Sequence, residues 1–112
     1  MTRFAPLGVL AFSILAGSAT AAGAPDWHVQ ARCIADYEAA ANALEDQGGQ
    51  AALIKRYDGN RERTSLALAT RTDLPSSSAA DAEKKGEAKR LEANPPEEAL
   101  SAAKACDKVL GY

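Results

Sequence analysis

Two cysteines, Cys33 and Cys106, constrain the fold of this chain more than any other feature. They are the only cysteines in 112 residues, and 73 positions separate them. In an exported protein a lone pair of cysteines normally forms a disulfide. On the chain-entropy model a loop of this length stabilises a fold by about 4 kcal/mol. We therefore predict a covalent link between the first and last parts of the folded domain.

The N-terminal segment predicts export. Arg3 gives a positive start, residues 4–17 are mostly apolar, and Ala19-Thr20-Ala21 places small residues where a signal peptidase cuts. The apolar run is shorter than the roughly 20 residues that a membrane-spanning helix needs. We predict a signal peptide over residues 1–21, a periplasmic or secreted location, and no stable membrane insertion after cleavage. Cleavage after Ala22 is the second choice.

The remaining chain, residues 22–112, is expected to form one small domain with a thin core. It holds only 16 larger apolar or aromatic residues but 21 alanines, which bury little area each. Such a core barely offsets the entropy lost on ordering the chain, so a disulfide would be structurally useful. Its 12 basic and 15 acidic residues give a net charge of −3, which offers no reason to expect nucleic-acid binding.

Helical periodicity dominates the first half of the domain. Asp26 is a candidate N-cap for a helix that continues to about Gln47, where Gly48-Gly49 ends it. Its predicted inner stripe is Trp27, Ala31, Ile34, Tyr37, Ala41 and Leu44.

A second helix is expected from Gln50, with Leu53, Ile54 and Tyr57 facing inward. Asp58-Gly59-Asn60 is a turn signal that is expected to interrupt this helix before it resumes over residues 61–71, with Leu66 and Leu68 as its main apolar side chains. Residues 65–70 also fit a short strand, although their alanine content favours helix.

The second half contains a linker, a polar segment and a final helix. Residues 73–78 form the linker, and residues 79–93 are so polar that they predict an exposed, loosely held and potentially flexible helix. Asn94 is a candidate cap for the last helix, which Gly111 ends. We predict an all-α fold, a small antiparallel bundle of three to four helices stapled by one disulfide.

The sequence offers few groups for catalysis or metal binding. His28 is the only histidine, and no phosphate-binding loop, nucleophile elbow or Cys-x-x-Cys motif is present. With two distant cysteines and one histidine, a soft-metal or haem site lacks ligands. We therefore predict a non-enzymatic protein without cofactor or metal, and with an exposed His28 that has no catalytic role.

Charge is unevenly distributed along the chain. Residues 26–47 carry one base and five acids, whereas residues 50–72 carry five bases and two acids. The simpler interpretation is that two neighbouring helices complement each other electrostatically. The functional interpretation is a basic patch with its tip at the predicted turn, presented to an acidic protein partner. The residues of this patch are Lys55, Arg56, Arg61 and Arg63.

These observations favour a small exported protein that acts by protein–protein binding, of inhibitor or immunity type. A first alternative is a periplasmic stress chaperone that exposes apolar surface when its carboxylates become protonated at low pH, suggested by the thin core and the polar third segment. A second, less favoured alternative is a hydrolytic enzyme that uses His28.

Overall fold

The computed structural model describes residues 25–112, which form four α-helices. These are α1 (Trp27–Asp46), α2 (Ala51–Ala69), α3 (Ser77–Glu92) and α4 (Pro96–Leu110). No strand occurs within residues 25–112, and residues 65–70 are helical or lie at the helix end. The all-α class and the stapled bundle are confirmed, whereas the predicted signal peptide over residues 1–21 lies outside the described residues.

Helix α1 is the centre of the bundle, because each of the other three helices packs against it. Tyr57 of α2 lies beside Tyr37 in the middle of α1. Arg71, just past the end of α2, donates a hydrogen bond to Gln30 near the start of α1. Helix α2 therefore runs antiparallel to α1. The chain then turns, and α3 runs parallel to α1. Cys106, late in α4, is bonded to Cys33, early in α1, so α4 runs antiparallel to α1. Successive helices thus alternate in direction, as predicted.

The predicted stripe of α1 faces the core. Ala31, Ile34, Tyr37, Ala41 and Leu44 are buried, and Trp27 is half-buried beside them. One cluster of buried residues surrounds Tyr37 and the disulfide between α1, α2 and α4. A second, smaller cluster joins Ala31 and Ile34 to Leu68 and Ala80. Alanine allows the helices to approach closely, so the few large side chains can fill the remaining space.

The predicted interruption at Asp58-Gly59-Asn60 is wrong, because α2 continues unbroken through these residues. Asn60 is buried and donates a hydrogen bond from Nδ2 to Asp107 Oδ1 over 2.9 Å. The buried Thr64 hydroxyl donates to the carbonyl oxygen of Asn60 over 2.7 Å. These tertiary and local contacts outweigh the turn preference of the three residues. There is accordingly no exposed tip at this position.

The second half of α2 has a thinner apolar pattern than expected. Leu68 is buried, but Leu66 is 65% exposed. The inner face of α2 instead runs through Tyr57, Asn60, Thr64 and Leu68, at spacings of three, four and four residues. Two of these four side chains are polar, and the half-buried Leu53 and Ile54 add apolar contact with the core around Tyr37.

Several helix ends follow the sequence signals. Asp26 caps α1, since its Oδ1 accepts a hydrogen bond of 2.8 Å from the His28 amide. Gly48 and Gly111 adopt left-handed backbone conformations after α1 and α4, with φ of 75° and 76°. Gln50 also has a positive φ of 58°, which is uncommon for a residue with a side chain.

Asn94 does not cap α4 as predicted. Pro95 occupies the N-cap position, and the Asn94 side chain donates backwards to the carbonyl oxygen of Arg90 over 2.7 Å. Asn94 therefore satisfies the end of α3 rather than the start of α4, because the two helices are only three residues apart.

The polar third segment forms helix α3, which begins at Ser77, inside the predicted linker. Its buried residues are Ala80, Glu87 and Leu91. An ion pair of 2.8 Å between Arg32 and Glu83 adds to its attachment to α1. Helix α3 is thus held on α1 by a small apolar contact and by charged groups.

No helix within residues 25–112 has the length and apolar content required to cross a membrane.

Candidate functional site

The predicted disulfide joins Cys33 and Cys106, with 2.11 Å between the sulfur atoms and 5.7 Å between the Cα atoms. Both cysteines are 3% exposed. The bond therefore lies inside the interface of α1 and α4 and fixes these two helices against each other. Both thiols are used in this bond, so neither is available as a catalytic nucleophile or as a metal ligand.

Asp107 on α4 is the centre of a polar network that joins three helices. Its Oδ1 accepts hydrogen bonds from the Tyr37 hydroxyl, over 2.7 Å, and from Asn60. Its Oδ2 forms an ion pair of 2.7 Å with Arg56. Burial and the neighbouring Asp107 carboxylate raise the pKa of Tyr37, so its hydroxyl keeps its proton and remains a donor. Sequence reasoning did not identify Asp107; an acid near a helix C-terminus, where the dipole disfavours it, was the available signal.

Arg56 and Arg63 lie on one face of α2, seven residues apart, at the edge where α2 meets α4. The guanidinium group of Arg63 stacks over the Tyr112 ring, 3.8 Å from its centroid. The Tyr112 hydroxyl in turn hydrogen-bonds the Thr64 hydroxyl at 3.0 Å. Both arginines are exposed at their outer sides although their positions are fixed by these contacts. We call this surface, made of Arg56, Arg63, Asp107 and Tyr112, the basic edge.

The structure brings together two of the four predicted partner-binding residues. Lys55 and Arg61 lie outside the contacts of the basic edge. At about 100° per residue, Lys55 lies about 80° around α2 from Arg63 and about 100° from Arg56, whereas Arg61 lies about 140° or more from both. Arg61 is therefore on another side of the helix, and Lys55 flanks the edge. On α4, the exposed Lys104 lies one turn before Asp107 on the same face, and the exposed Lys108 follows it. These two lysines were not predicted and keep the edge positively charged despite Asp107.

A groove of about 530 Å³ opens between α1, α3 and the start of α4. Its floor consists mainly of alanines, and Glu38, Asp46 and Glu92 are its acidic residues. Sequence reasoning missed this groove, because its walls come from segments about 50 residues apart.

A buried pair of acids lies between α1 and α3. Asp36 and Glu87 are 6% and 8% exposed. Burial, together with a hydrogen bond and repulsion from Glu87, raises the pKa of Asp36 to about 8. The forked hydrogen bonds from Arg90, of 2.9 and 2.8 Å, lower the pKa of Glu87. At neutral pH, Asp36 is therefore protonated and can donate a hydrogen bond to the ionised Glu87.

Asp36 also lies against the disulfide, with 3.2 Å between its Oδ2 and Sγ of Cys106. Since that sulfur is bonded to Cys33 it carries no proton, and the approach is a van der Waals contact. Oδ1 of Asp36 is buried without a donor partner among residues 25–112. The donor atoms of Cys33, Asp36 and Cys106 lie within 4.8 Å of one another, but the disulfide removes the two thiolates that such a metal site would need.

His28 is exposed on the first turn of α1. Its ring stacks on Trp27 with 3.8 Å between centroids, and Nδ1 lies 2.8 Å from Asp26 Oδ1. A histidine paired with a carboxylate resembles part of a catalytic triad, but the same Asp26 oxygen caps the helix. The groove between α1, α3 and α4 is lined by other residues. The contacts of His28 are thus those of a helix start.

No protein-family model matches this chain, and neither the curated proteins nor the solved structures contain a significant match to it.

Proposed function

We propose that this chain is an exported, non-enzymatic protein that acts by protein–protein binding, of inhibitor or immunity type, and that its basic edge contacts an acidic partner. The observation that carries the proposal is that Arg56 and Arg63 are held in place at an exposed helix edge. Asp107 positions the first and Tyr112 positions the second.

Preorganised arginines suit recognition for an energetic reason. Ordering a long side chain on binding costs about 0.5–1.5 kcal/mol, and much of this cost is already met when the side chain is fixed in the free protein. Arginine and tyrosine are also among the residues that most often dominate binding energy at protein interfaces. The exposed Lys104 and Lys108 add positive charge that would attract an acidic surface.

The disulfide contributes to the same function through rigidity. It fixes α4 to α1, and Asp107 connects both helices to α2. The basic edge is thus built across three helices whose mutual positions are restrained by one covalent bond and one polar network. A surface of this kind loses little conformational entropy when it binds.

Partner capture with matched variants tests the proposal. The purified oxidised protein would be immobilised and exposed to a periplasmic extract, beside a basic-edge variant that carries Arg56→Gln and Arg63→Gln. A control variant with Lys85→Gln and Lys89→Gln loses the same charge from exposed positions of α3. We expect an acidic protein to be retained by the wild type and the control and lost from the basic-edge variant.

Two outcomes would count against this proposal. Recovery of no specific protein by the wild type would contradict protein binding itself. Equal recovery by all three baits would show that the partner contacts another surface. Folding of each bait is checked by circular dichroism, since Arg56 also pairs with Asp107.

The chaperone alternative receives less support from the buried acids. Asp36 is already protonated at neutral pH, so acidification does not change its charge. An acid-triggered opening would instead depend on other carboxylates, such as Glu87, whose protonation would weaken its pairing with Arg90. Dye binding and suppression of client aggregation at pH 3 would favour this alternative; a domain that stays closed at pH 3 would eliminate it.

A further inference from the structure

The groove between α1, α3 and α4 has the composition of a second interaction surface. Its floor is apolar, with Leu91 and Ala99 buried and several half-buried alanines around them. Because alanine side chains are short, the backbone of a ligand segment can approach the helices closely. The alanines of the groove are Ala35, Ala39, Ala43, Ala88 and Ala99.

The rim of the groove is acidic. Glu38 belongs to α1, Asp46 is the last residue of α1 and Glu92 is the last residue of α3, so carboxylates lie on both walls. All three are exposed, and none of the lysines and arginines in residues 25–112 lines the groove. A concave surface with charges of one sign concentrates the electrostatic potential and favours ligands of the opposite sign.

Polar groups that can fix the register of a ligand also line the groove. Asn42 and Gln47 on the α1 side and Asn94 at the α3–α4 connection carry amide groups. The apolar floor of the groove and its polar, acidic rim complement the apolar and the basic face of an amphipathic segment. Its apolar side would lie on the alanines, and its basic residues would reach the carboxylates.

We propose that this groove binds a basic amphipathic helix of a partner protein. Helical geometry fits because residues three and four apart present an apolar stripe flanked by lysines or arginines. The proposal does not depend on the basic edge, since it concerns a different surface and a ligand of opposite charge.

The test uses a synthetic 16-residue amphipathic peptide with an alanine and leucine stripe flanked by lysines, and a counterpart in which glutamate replaces each lysine. Binding to the ¹⁵N-labelled oxidised protein would be followed by NMR at low and high salt. We expect amide shifts concentrated at residues that line the groove, weaker binding at high salt, and no binding of the glutamate peptide.

Two matched double variants locate the site by charge. Glu38→Gln with Glu92→Gln removes one carboxylate from each wall, whereas Asp58→Asn with Glu62→Gln removes the same charge from exposed positions of α2. We expect the first variant to bind the lysine peptide about tenfold more weakly and the second to bind it like the wild type.

A third variant tests the shape of the groove. Ala43→Leu places a larger side chain in the groove without changing any charge, and we expect it to weaken binding as well. Equal binding by both double variants, shifts centred on α2, or no binding at low salt would overturn the groove proposal. The variant with Arg56→Gln and Arg63→Gln should still bind the lysine peptide. Failure of the groove proposal can therefore be distinguished from failure of the proposed partner binding at the basic edge.

Discussion

The buried carboxyl group of Asp36 lies against the carboxylate of Glu87 where α1 meets α3 in the interior of the bundle. The charged groups around Asp36 are Glu87 and Arg90 on α3 and Arg32 on its own helix, and the disulfide contacts it from α4. Helix α3 has only a small apolar contact with α1, so its attachment depends on the protonation state of this pair.

Stability should therefore decrease from about pH 4 to about pH 8. In this window the folded protein keeps the Asp36 proton that the unfolded chain has lost, so raising the pH favours unfolding by at most about 1.4 kcal/mol per pH unit. Thermal unfolding followed by circular dichroism at successive pH values would measure this slope. Asp36→Asn should flatten it and raise the melting temperature at pH 8, whereas Asp58→Asn, at an exposed position, should leave it unchanged. Parallel slopes in wild type and Asp36→Asn would contradict the assignment.

At lower pH the sign reverses, because the pKa of Glu87 is lowered in the folded state. Its contribution is present above the pKa of the unfolded chain and is lost as the pH falls through the folded value. Glu87→Gln should accordingly reduce stability at pH 7 and weaken the acid-dependent loss below about pH 4. The matched exposed change is Glu92→Gln in the same helix.

Loss of the disulfide should strongly destabilise the domain. The double variant Cys33→Ala and Cys106→Ala is expected to lose about 4 kcal/mol on the chain-entropy model, which in so small a domain is enough to unfold much of the population at 37 °C. Urea unfolding of the oxidised wild type and the variant measures the difference. Thiol titration of the denatured oxidised protein should find no free thiol, and one or more would contradict the bond.

Asp107 should contribute more to the free energy of unfolding than a typical surface acid does. Asp107→Ala leaves the Tyr37 hydroxyl and the Asn60 amide without their partner, at a cost of about 2–4 kcal/mol. Tyr37→Phe removes a single donor and should cost about 1 kcal/mol. Urea unfolding curves give both values. An Asp107→Ala effect no larger than that of the exposed Asp58→Ala would show that the network does not stabilise the bundle.

Two glycines should respond to alanine in opposite directions. Gly86 lies inside α3 with open space around its Cα, so Gly86→Ala should stabilise by about 1 kcal/mol through helix propensity. Gly48 has a positive φ, so Gly48→Ala should destabilise by about 1 kcal/mol despite the same open space. Gly49→Ala, where φ is not positive, is the control for Gly48. Melting temperatures with equal shifts for Gly48 and Gly49 would contradict the backbone explanation.

Local signals were sufficient for most of the secondary structure. Alanine-rich periodicity placed α1, Asp26 marked its start, and Gly48 and Gly111 marked two helix ends, because these features act through the backbone within one or two turns. They failed where a distant residue decided the outcome. Asp107 keeps Asn60 in a helix that the local turn signal would interrupt.

The candidate surfaces show the same division. The sequence determined which basic side chains α2 carries. The tertiary structure determined that Arg56 and Arg63 are held by contacts in which Lys55 and Arg61 take no part. The groove required three segments to come together and had no local signal at all.

By itself, then, the sequence determined an all-helical chain with one disulfide, because helix propensity and cysteine pairing are properties of residue type and spacing. The tertiary structure decided which polar groups are buried together, which arginines are held in place and where the surface is concave. Those outcomes depend on how α2, α3 and α4 are arranged around α1, and neighbours in space on different helices are far apart in sequence.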